Sequence, residues 1–303
     1  MSERTLRAAP SLLPLFVRAG AAVIPGASRL PFVGGAGGRT GGPVPDTVLV
    51  LDDVAVDRGR VAAYDRVCGF GVGNVLPATF PHMLAFPLHL TLMTDRRFPL
   101  PAIGLVHIAN RIVARRPIAA GERLSLRVWA TPIEPHPRGR QFAIRTEARV
   151  GDELVWEETA VNLRRGAGGD PERGPLIAPP SALELPATAT WRLRGDLGRR
   201  YGAVSGDLNP IHVHPLTARL FGFPSAIAHG MWTLARCLAA LGPGGGATAG
   251  TGGPVTIEVA FRKPIALPAT VQFAEARSAD GIRFGVRDAR RKTPHLDGLV
   301  SVG

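Results

Sequence analysis

Cysteine is almost absent: Cys68 and Cys237 are the only two in the chain. A disulfide scaffold and a four-thiolate zinc site are thereby excluded. No uncharged apolar stretch approaches the roughly 20 residues that a membrane helix needs, so no membrane span is expected. The apolar patch from Leu12 to Val17 is short, broken by Arg18 and followed by no clear cleavage site, so a docking arm or loose extension is expected rather than a secretory leader. The expected location is the cytoplasm. Lysine is scarce, with Lys263 and Lys292 alone. Lys and Arg outnumber Asp and Glu by 36 to 24, yet the arginines are scattered in short patches such as Ala114-Arg115-Arg116. That is no compact basic block, and nucleic acid is not an expected partner. The net charge of +12 suits a phosphate-bearing small molecule or an acidic carrier protein. Two glycine-rich stretches also fall short of a nucleotide site. Gly242 to Gly253 has no Lys-Ser/Thr, and Gly69-Phe70-Gly71-Val72-Gly73 lacks a third glycine.

What is present is glycine and proline in quantity, 37 and 28 of 303 residues, and their distribution marks out the chain. Residues 1–45 read as an N-terminal extension or docking arm, and 164–190 as an interdomain linker without periodicity. Between and after them lies an internal repeat. Arg116-Pro117-Ile118-Ala119 recurs as Lys263-Pro264-Ile265-Ala266, and at the same offset Pro81-His82-Met83-Leu84 falls on Ala228-His229-Gly230-Met231. Upstream, Tyr64-Asp65-Arg66-Val67-Cys68-Gly69 echoes Tyr201-Gly202-Ala203-Val204-Ser205-Gly206 at a smaller offset, so the second copy carries ten extra residues before its histidine. Three matches in one order point to duplication, with halves at 46–163 and 191–303.

Each copy follows its histidine with an apolar segment of helical length. Gly230 to Leu241 is apolar on nearly every face and predicts a buried helix. Met83 to Met93 is similar, with Pro87 expected to kink it or shorten its first turn. Alternating runs then predict strands: Leu124 to Val128, Phe142 to Ile144 and Leu154 to Leu163 in the first half. Val255 to Phe261, Val271 to Ala276, Ile282 to Val286 and Leu299 to Val302 follow in the second. The expectation is two α+β halves, each an antiparallel sheet around one helix.

The extra residues fall in Ser205-Gly206-Asp207-Leu208-Asn209-Pro210-Ile211-His212-Val213-His214, a carboxylate, a carboxamide and two imidazoles close together. Pro210 favours a turn or short helical step that brings Asp207 and His212 to one side. A carboxylate and an imidazole sharing a water form an acid/base pair near neutral pH, with Asn209 placed to orient one of them. Asp207 as a simple helix cap is the plainer alternative. The N–H groups at the start of a helix have no internal partner and carry the positive end of its dipole. Gly230 lets a ligand approach there, which makes an oxyanion hole for a carbonyl gaining charge. His212, His214 and His229 find no carboxylate or cysteine to complete a metal set, so neither metal nor cofactor is expected. His82 reads as packing or capping, His229 as fixing the loop into its helix, and Phe223 as core or tunnel wall.

Tyr201…Ser205-Gly206-Asp207-x-Asn209-Pro210-Ile211-His212, with Gly222-Phe223-Pro224 and Ile227-Ala228-His229-Gly230-Met231, resembles the signature of the MaoC-like, (R)-specific enoyl-thioester hydratases. The layout resembles the double hot-dog 3-hydroxyacyl-thioester dehydratases, whose N-terminal half is degenerate. Leu76 to His82 and Leu84 to Pro87 resemble the bacterial branch tied to fatty-acid synthesis. The resemblance implies an Asp207/His212 dyad with the Gly230 N–H on the thioester oxygen, and substrate contacts from Asn209, Ser205, His229 and Phe223. It implies reversible dehydration of (3R)-3-hydroxyacyl thioesters carried on coenzyme A or an acyl carrier protein. It leaves room for a homodimer of double units. The first half would serve as binding wall near Phe70 and Asn74. Thioester hydrolysis on the same fold and a non-catalytic acyl-thioester-binding subunit stand as alternatives.

Overall fold

The computed structural model describes residues 2–21, 42–166, 169–170, 172–242 and 253–302. Most of the glycine-rich run from Gly242 to Gly253 and part of the N-terminal extension lie outside them. The chain opens with β1 (Ser2–Leu6) and α1 (Leu12–Ala21), then β2 (Thr47–Val54), α2 (Arg58–Cys68) and α3 (Phe80–Met93). Five strands complete the first half: β3 (Leu105–Ala114), β4 (Leu124–Ala130), β5 (Glu134–His136), β6 (Gly139–Val150) and β7 (Glu153–Arg165). The second half runs β8 (Ala187–Leu193), α4 (Leu197–Ser205), α5 (Pro210–Val213), α6 (Pro215–Leu220) and α7 (Gly230–Leu241). It ends in β9 (Val255–Phe261), β10 (Ala269–Ser278), β11 (Gly281–Asp288) and β12 (Pro294–Val302).

The strands form one twelve-stranded sheet in the order β1-β2-β4-β6-β7-β3-β9-β12-β11-β10-β8, with β5 on β6. Read outward from the central β3–β9 seam, both halves have the same order. β3, β7, β6, β4 and β2 on one side match β9, β12, β11, β10 and β8 on the other. The repeat in the sequence is thus a repeat in the sheet, related by an approximate two-fold at the seam. There Ala109 to Ala114 pair antiparallel with Ala260 to Val255, which joins the halves by backbone hydrogen bonds. β1 is the exception in direction. It runs parallel to β2, Ser2 opposite Thr47 and Leu6 opposite Leu51, so the extension begins by adding a strand to the sheet.

One core fills both halves, because the helix in each is buried on several faces. Phe80, Met83, Ala85 and Leu88 of α3 and Leu234, Ala235, Cys237 and Leu238 of α7 all belong to it. α3 runs unbroken through Pro87 and starts before Met83, longer than the sequence suggested. A proline inside a helix costs about 3 kcal/mol, and this all-round burial offsets it. β7 extends through Arg165 and β8 begins at Ala187, so strand enters both ends of the stretch read as a linker. Trp232 on α7 donates its Nε1–H to the Val67 carbonyl of α2 at 2.9 Å, tying the halves together beneath the sheet. No helix among the described residues is long and apolar enough to cross a membrane.

Candidate active site

The ten extra residues become the stretch from the end of α4 to the start of α6. α4 stops because Gly206 takes the left-handed conformation (φ 83°), its N–H closing on the Gly202 carbonyl. The chain then turns back over α4, a path that two glycines allow. A Cβ on Gly202 would stand 2.8 Å from the Asp207 carbonyl oxygen. One on Gly198 would overlap the His212 carbonyl. Within the turn, the Asp207 N–H donates to Ser205 Oγ at 3.1 Å, and Asp207 Oδ1 accepts the Asn209 N–H at 3.1 Å. Asn209 Oδ1 accepts the Ile211 N–H at 3.4 Å and caps α5, with Pro210 in its first turn. Asp207 is therefore no helix cap; Asn209 fills that role, and its backbone holds the Asp207 carboxylate. His214 is likewise a cap, its Nδ1 accepting the Leu216 N–H at the start of α6.

His212 Nδ1 donates to the Ile227 carbonyl at 2.8 Å, which leaves Nε2 as the ring's basic atom. His229 stacks on His212 with ring centroids 3.7 Å apart. Its Nε2–H donates to the Asp207 carbonyl at 3.0 Å, while the buried Nδ1 has no hydrogen-bond partner among the described residues. The Asp207 carboxylate and the two rings offer atoms all within 4.8 Å of one another. That is the spacing of a metal group, and Asp207 is the carboxylate the sequence did not place in it; each ring spends one nitrogen on a backbone carbonyl and keeps the other. His229 occupies the N-cap position of α7, so the Gly230 N–H beside it opens a twelve-residue helix. Phe261 closes the other side, its ring carbons 3.1 Å from where a Gly230 Cβ would sit.

Electrostatics sort these groups. Burial pushes the His212 imidazole below the usual histidine range, against the opposing pull of Asp207 and the Ile227 hydrogen bond. Burial, reinforced by His212, takes His229 down to about 3. Both rings are neutral at pH 7. Asp207 keeps a quarter of its side chain in solvent. The arrangement is a neutral base and a partly solvated carboxylate, beside the start of α7, which has no side-chain cap hydrogen bond among the described residues. It is suited to moving a proton on and off carbon while a nearby oxygen gains charge.

Ser205 is buried and braces the turn, and its carbonyl accepts from the Arg60 guanidinium of α2 at 3.2 Å. Phe223 is only half-buried, and no hydrogen bond or ring contact among the described residues joins it to Asp207 or His212. His82 is more than packing. Its Nδ1 meets Glu158 Oε1 at 2.7 Å in a buried pair that also engages Asn110, with His89 and His107 alongside. The sequence reading passed over Glu158. Its signal was a charged residue in β7 on the inward parity of Trp156 and Ala160.

The family model of the MaoC like domain matches residues 182–298. The 3-hydroxyacyl-thioester dehydratase X of Mycobacterium tuberculosis is 35% identical over 264 residues, spanning 85% of this chain and 90% of that protein. The crystal structure of HtdX of Mycobacterium tuberculosis superposes with a TM-score of 0.73 at 34% identity, covering 84% of this chain and all of that one. A MaoC-like dehydratase from Phytophthora capsici shares the fold at 17% identity, with a TM-score of 0.63 over 86% of this chain and 96% of its own.

Proposed function

Because the chain belongs to the MaoC-like, double hot-dog 3-hydroxyacyl-thioester dehydratases and is a hydro-lyase, we propose that it interconverts (3R)-3-hydroxyacyl and trans-2-enoyl thioesters with Asp207 and His212 as its dyad. The observation that carries this is the convergence of the Asp207 carboxylate and the His212 ring within 4.8 Å, with His229, the cap of α7, in the same group. The half at 191–303 does the chemistry and the half at 46–163 supplies wall. The (3R) choice rests on the motif from Tyr201 to His212, which resembles that of the (R)-specific hydratases.

A thioester acidifies the carbon beside its carbonyl. His212 Nε2 takes that proton, the electrons move toward the thioester oxygen, and the Gly230 N–H holds the charge there. The C–O bond at the third carbon breaks, and the leaving hydroxyl receives a proton from the imidazolium. Water departs with Asp207 accepting its hydrogen bond, and His212 is neutral again. Hydration runs the same steps backward. A backbone oxyanion donor is typically worth about 3–4 kcal/mol, and a positioned acid/base roughly 10²–10⁴ in rate. The +12 charge suits the phosphates of coenzyme A and the acidic surface of a carrier protein.

Crotonyl-coenzyme A should lose its enoyl absorbance when the protein is added. Asp207→Asn and His212→Ala should each abolish that change and leave the melting transition in place. Full activity in both variants refutes the assignment. Release of free thiol in place of hydration would replace it with thioester hydrolysis.

A further inference from the structure

The proposed dyad leaves one buried ionisable cluster unused. Glu158 is wholly buried on β7. Its Oε1 accepts from His82 Nδ1 at 2.7 Å and from Asn110 Nδ2 at 2.6 Å. Its Oε2 lies 3.9 Å from His89 Nε2 and has no hydrogen-bond partner among the described residues. An apolar replacement for such a group is often neutral or stabilising, and the other half shows one. β3 places Ile112 opposite Glu158; at the repeat offset, Val259 of β9 stands opposite Gly298. Asn110 corresponds to Ile257 in the same way. The place of Glu158 is thus glycine in the other half, and the carboxylate of that strand, Asp297, sits one residue away against Arg262.

The cluster opens in one direction. His82 keeps 11% of its side chain exposed, against none for Glu158 and 4% for His89. With Nδ1 spent on Glu158, the N–H on the opposite edge of the ring makes no bond among the described residues. His107 stacks on His82 at 6.1 Å and meets Phe261 edge-on at 5.0 Å. Phe261 is the ring packed against Gly230. The cluster therefore backs onto the wall beside the start of α7.

We propose that His82, fixed by Glu158, is a cationic hydrogen-bond donor at the edge of the reaction chamber, aimed at the charge that develops on the acyl thioester. This rests on the Asp207/His212 reading. Glu158 is then a positioning residue acting through His82, and the degenerate half contributes to the reaction instead of only enclosing it.

The groups facing His82 are Glu158 from β7, His89 from its own helix, His107 and Asn110 from β3, and Asp207 from the turn after α4. Burial opposes the charged form of His82, but the Glu158 charge and hydrogen bond outweigh it and hold the imidazole above the usual histidine range. Burial takes His89 to about 3 and His107 to about 4, so both are neutral near pH 7. Glu158 itself is drawn down to about 2 by His82, despite its burial. His82 stays charged below its raised pKa and loses the charge as pH rises through it.

The test uses the full chain with crotonyl-coenzyme A, in wild type, Glu158→Gln and the double variant His82→Leu/Glu158→Leu, each checked by thermal melting. Asp207→Asn runs in parallel. Glu158→Gln should lower kcat roughly tenfold or more with KM little changed, the loss expected for a charge-assisted hydrogen bond made in the transition state. The alkaline fall of its kcat profile should move to lower pH, which a purely structural residue would not cause. The double variant should fold and be slow; it decides the matter if Glu158→Gln does not fold. Unchanged kcat in either folded variant overturns the inference. So does a stoichiometric metal in the wild type that Glu158→Gln lacks. Activity retained by Asp207→Asn removes the dyad reading itself, whereas its loss beside an unaffected Glu158→Gln removes only this inference.

Discussion

Replacing Gly198 with alanine should slow the enzyme without touching a group that handles protons. Gly198 is buried on α4, and a Cβ there would lie 1.9 Å from the His212 carbonyl oxygen and 2.9 Å from its carbon. An ordinary carbon–oxygen contact is about 3.3 Å, so the α5 backbone must retreat by more than about 1 Å. The partner is backbone on a short turn pinned by Pro210, not the end of a flexible side chain. His212 moves with it, and a misplacement of about 1 Å can cost about 10²-fold in rate. Alanine gains about 1 kcal/mol in helix propensity, against roughly 1–3 kcal/mol for overpacking, so the melting temperature should drop only modestly. Initial rates of crotonyl-coenzyme A hydration are the assay, with Gly174→Ala as control because nothing lies within 4 Å of a Cβ there. A Gly198→Ala protein with wild-type kcat would show that α5 is not held in place by α4.

Other consequences can be checked separately. Burial of neutral His229, His89 and His107, at about 3, 3 and 4, lets them add stability above their unfolded pKa near 6.5. That contribution is lost as pH falls toward the folded values, so melting temperature should decline steadily below about pH 6; a flat profile to pH 4 would contradict their burial. Asp207→Asn removes the charge that favours protonated His212, and its ring should titrate still lower by NMR. A rise would mean the two do not interact. Arg60→Ala deletes bonds from its guanidinium to the Val204 and Ser205 carbonyls, at 2.9 and 3.2 Å. It should cost roughly 1.5–3 kcal/mol in urea unfolding, as charged hydrogen bonds do, and an unaltered midpoint would show that α2 does not brace the end of α4. Bulky replacements at Phe70 or Asn74 should shorten the acyl chains accepted, and an unaffected preference would place the chain elsewhere.

The sequence carried more of this fold than of its site. The seven anticipated strands and both core helices stand where apolar periodicity put them, since alternation and all-round burial are local signals. β1, β2, β3, β5 and β8 were not anticipated, and β3 shows why. Asn110 and Arg111 interrupt its apolar pattern, because one serves the buried Glu158 cluster and the other bonds Glu258 across the seam. Asp207 and His212 were legible because ten inserted residues broke a repeat. Which ring nitrogen of His212 is free was not, because that is set by a carbonyl fifteen residues away. The stack of His229 on His212 was hidden for the same reason.

On the proposed reading, the seam explains how one half can change while the other keeps the chemistry. β3 and β9 pair across the approximate two-fold, α2 meets α4 there, and Tyr64 and Tyr201 face each other with ring centroids 6.1 Å apart. His82 and His229, matched in the repeat, stand at the beginnings of the two core helices and so are brought to the same region. If that turn is catalytic as proposed, one is enough for such a region, because a second would occupy the space the substrate needs. The half without that turn is then free of its original constraint, while the proposal keeps its residues at the border of the chamber. Glu158 against Gly298 is the kind of divergence this permits: the same place in the same sheet, glycine in one half and, in the other, a carboxylate that the proposal sets behind the substrate.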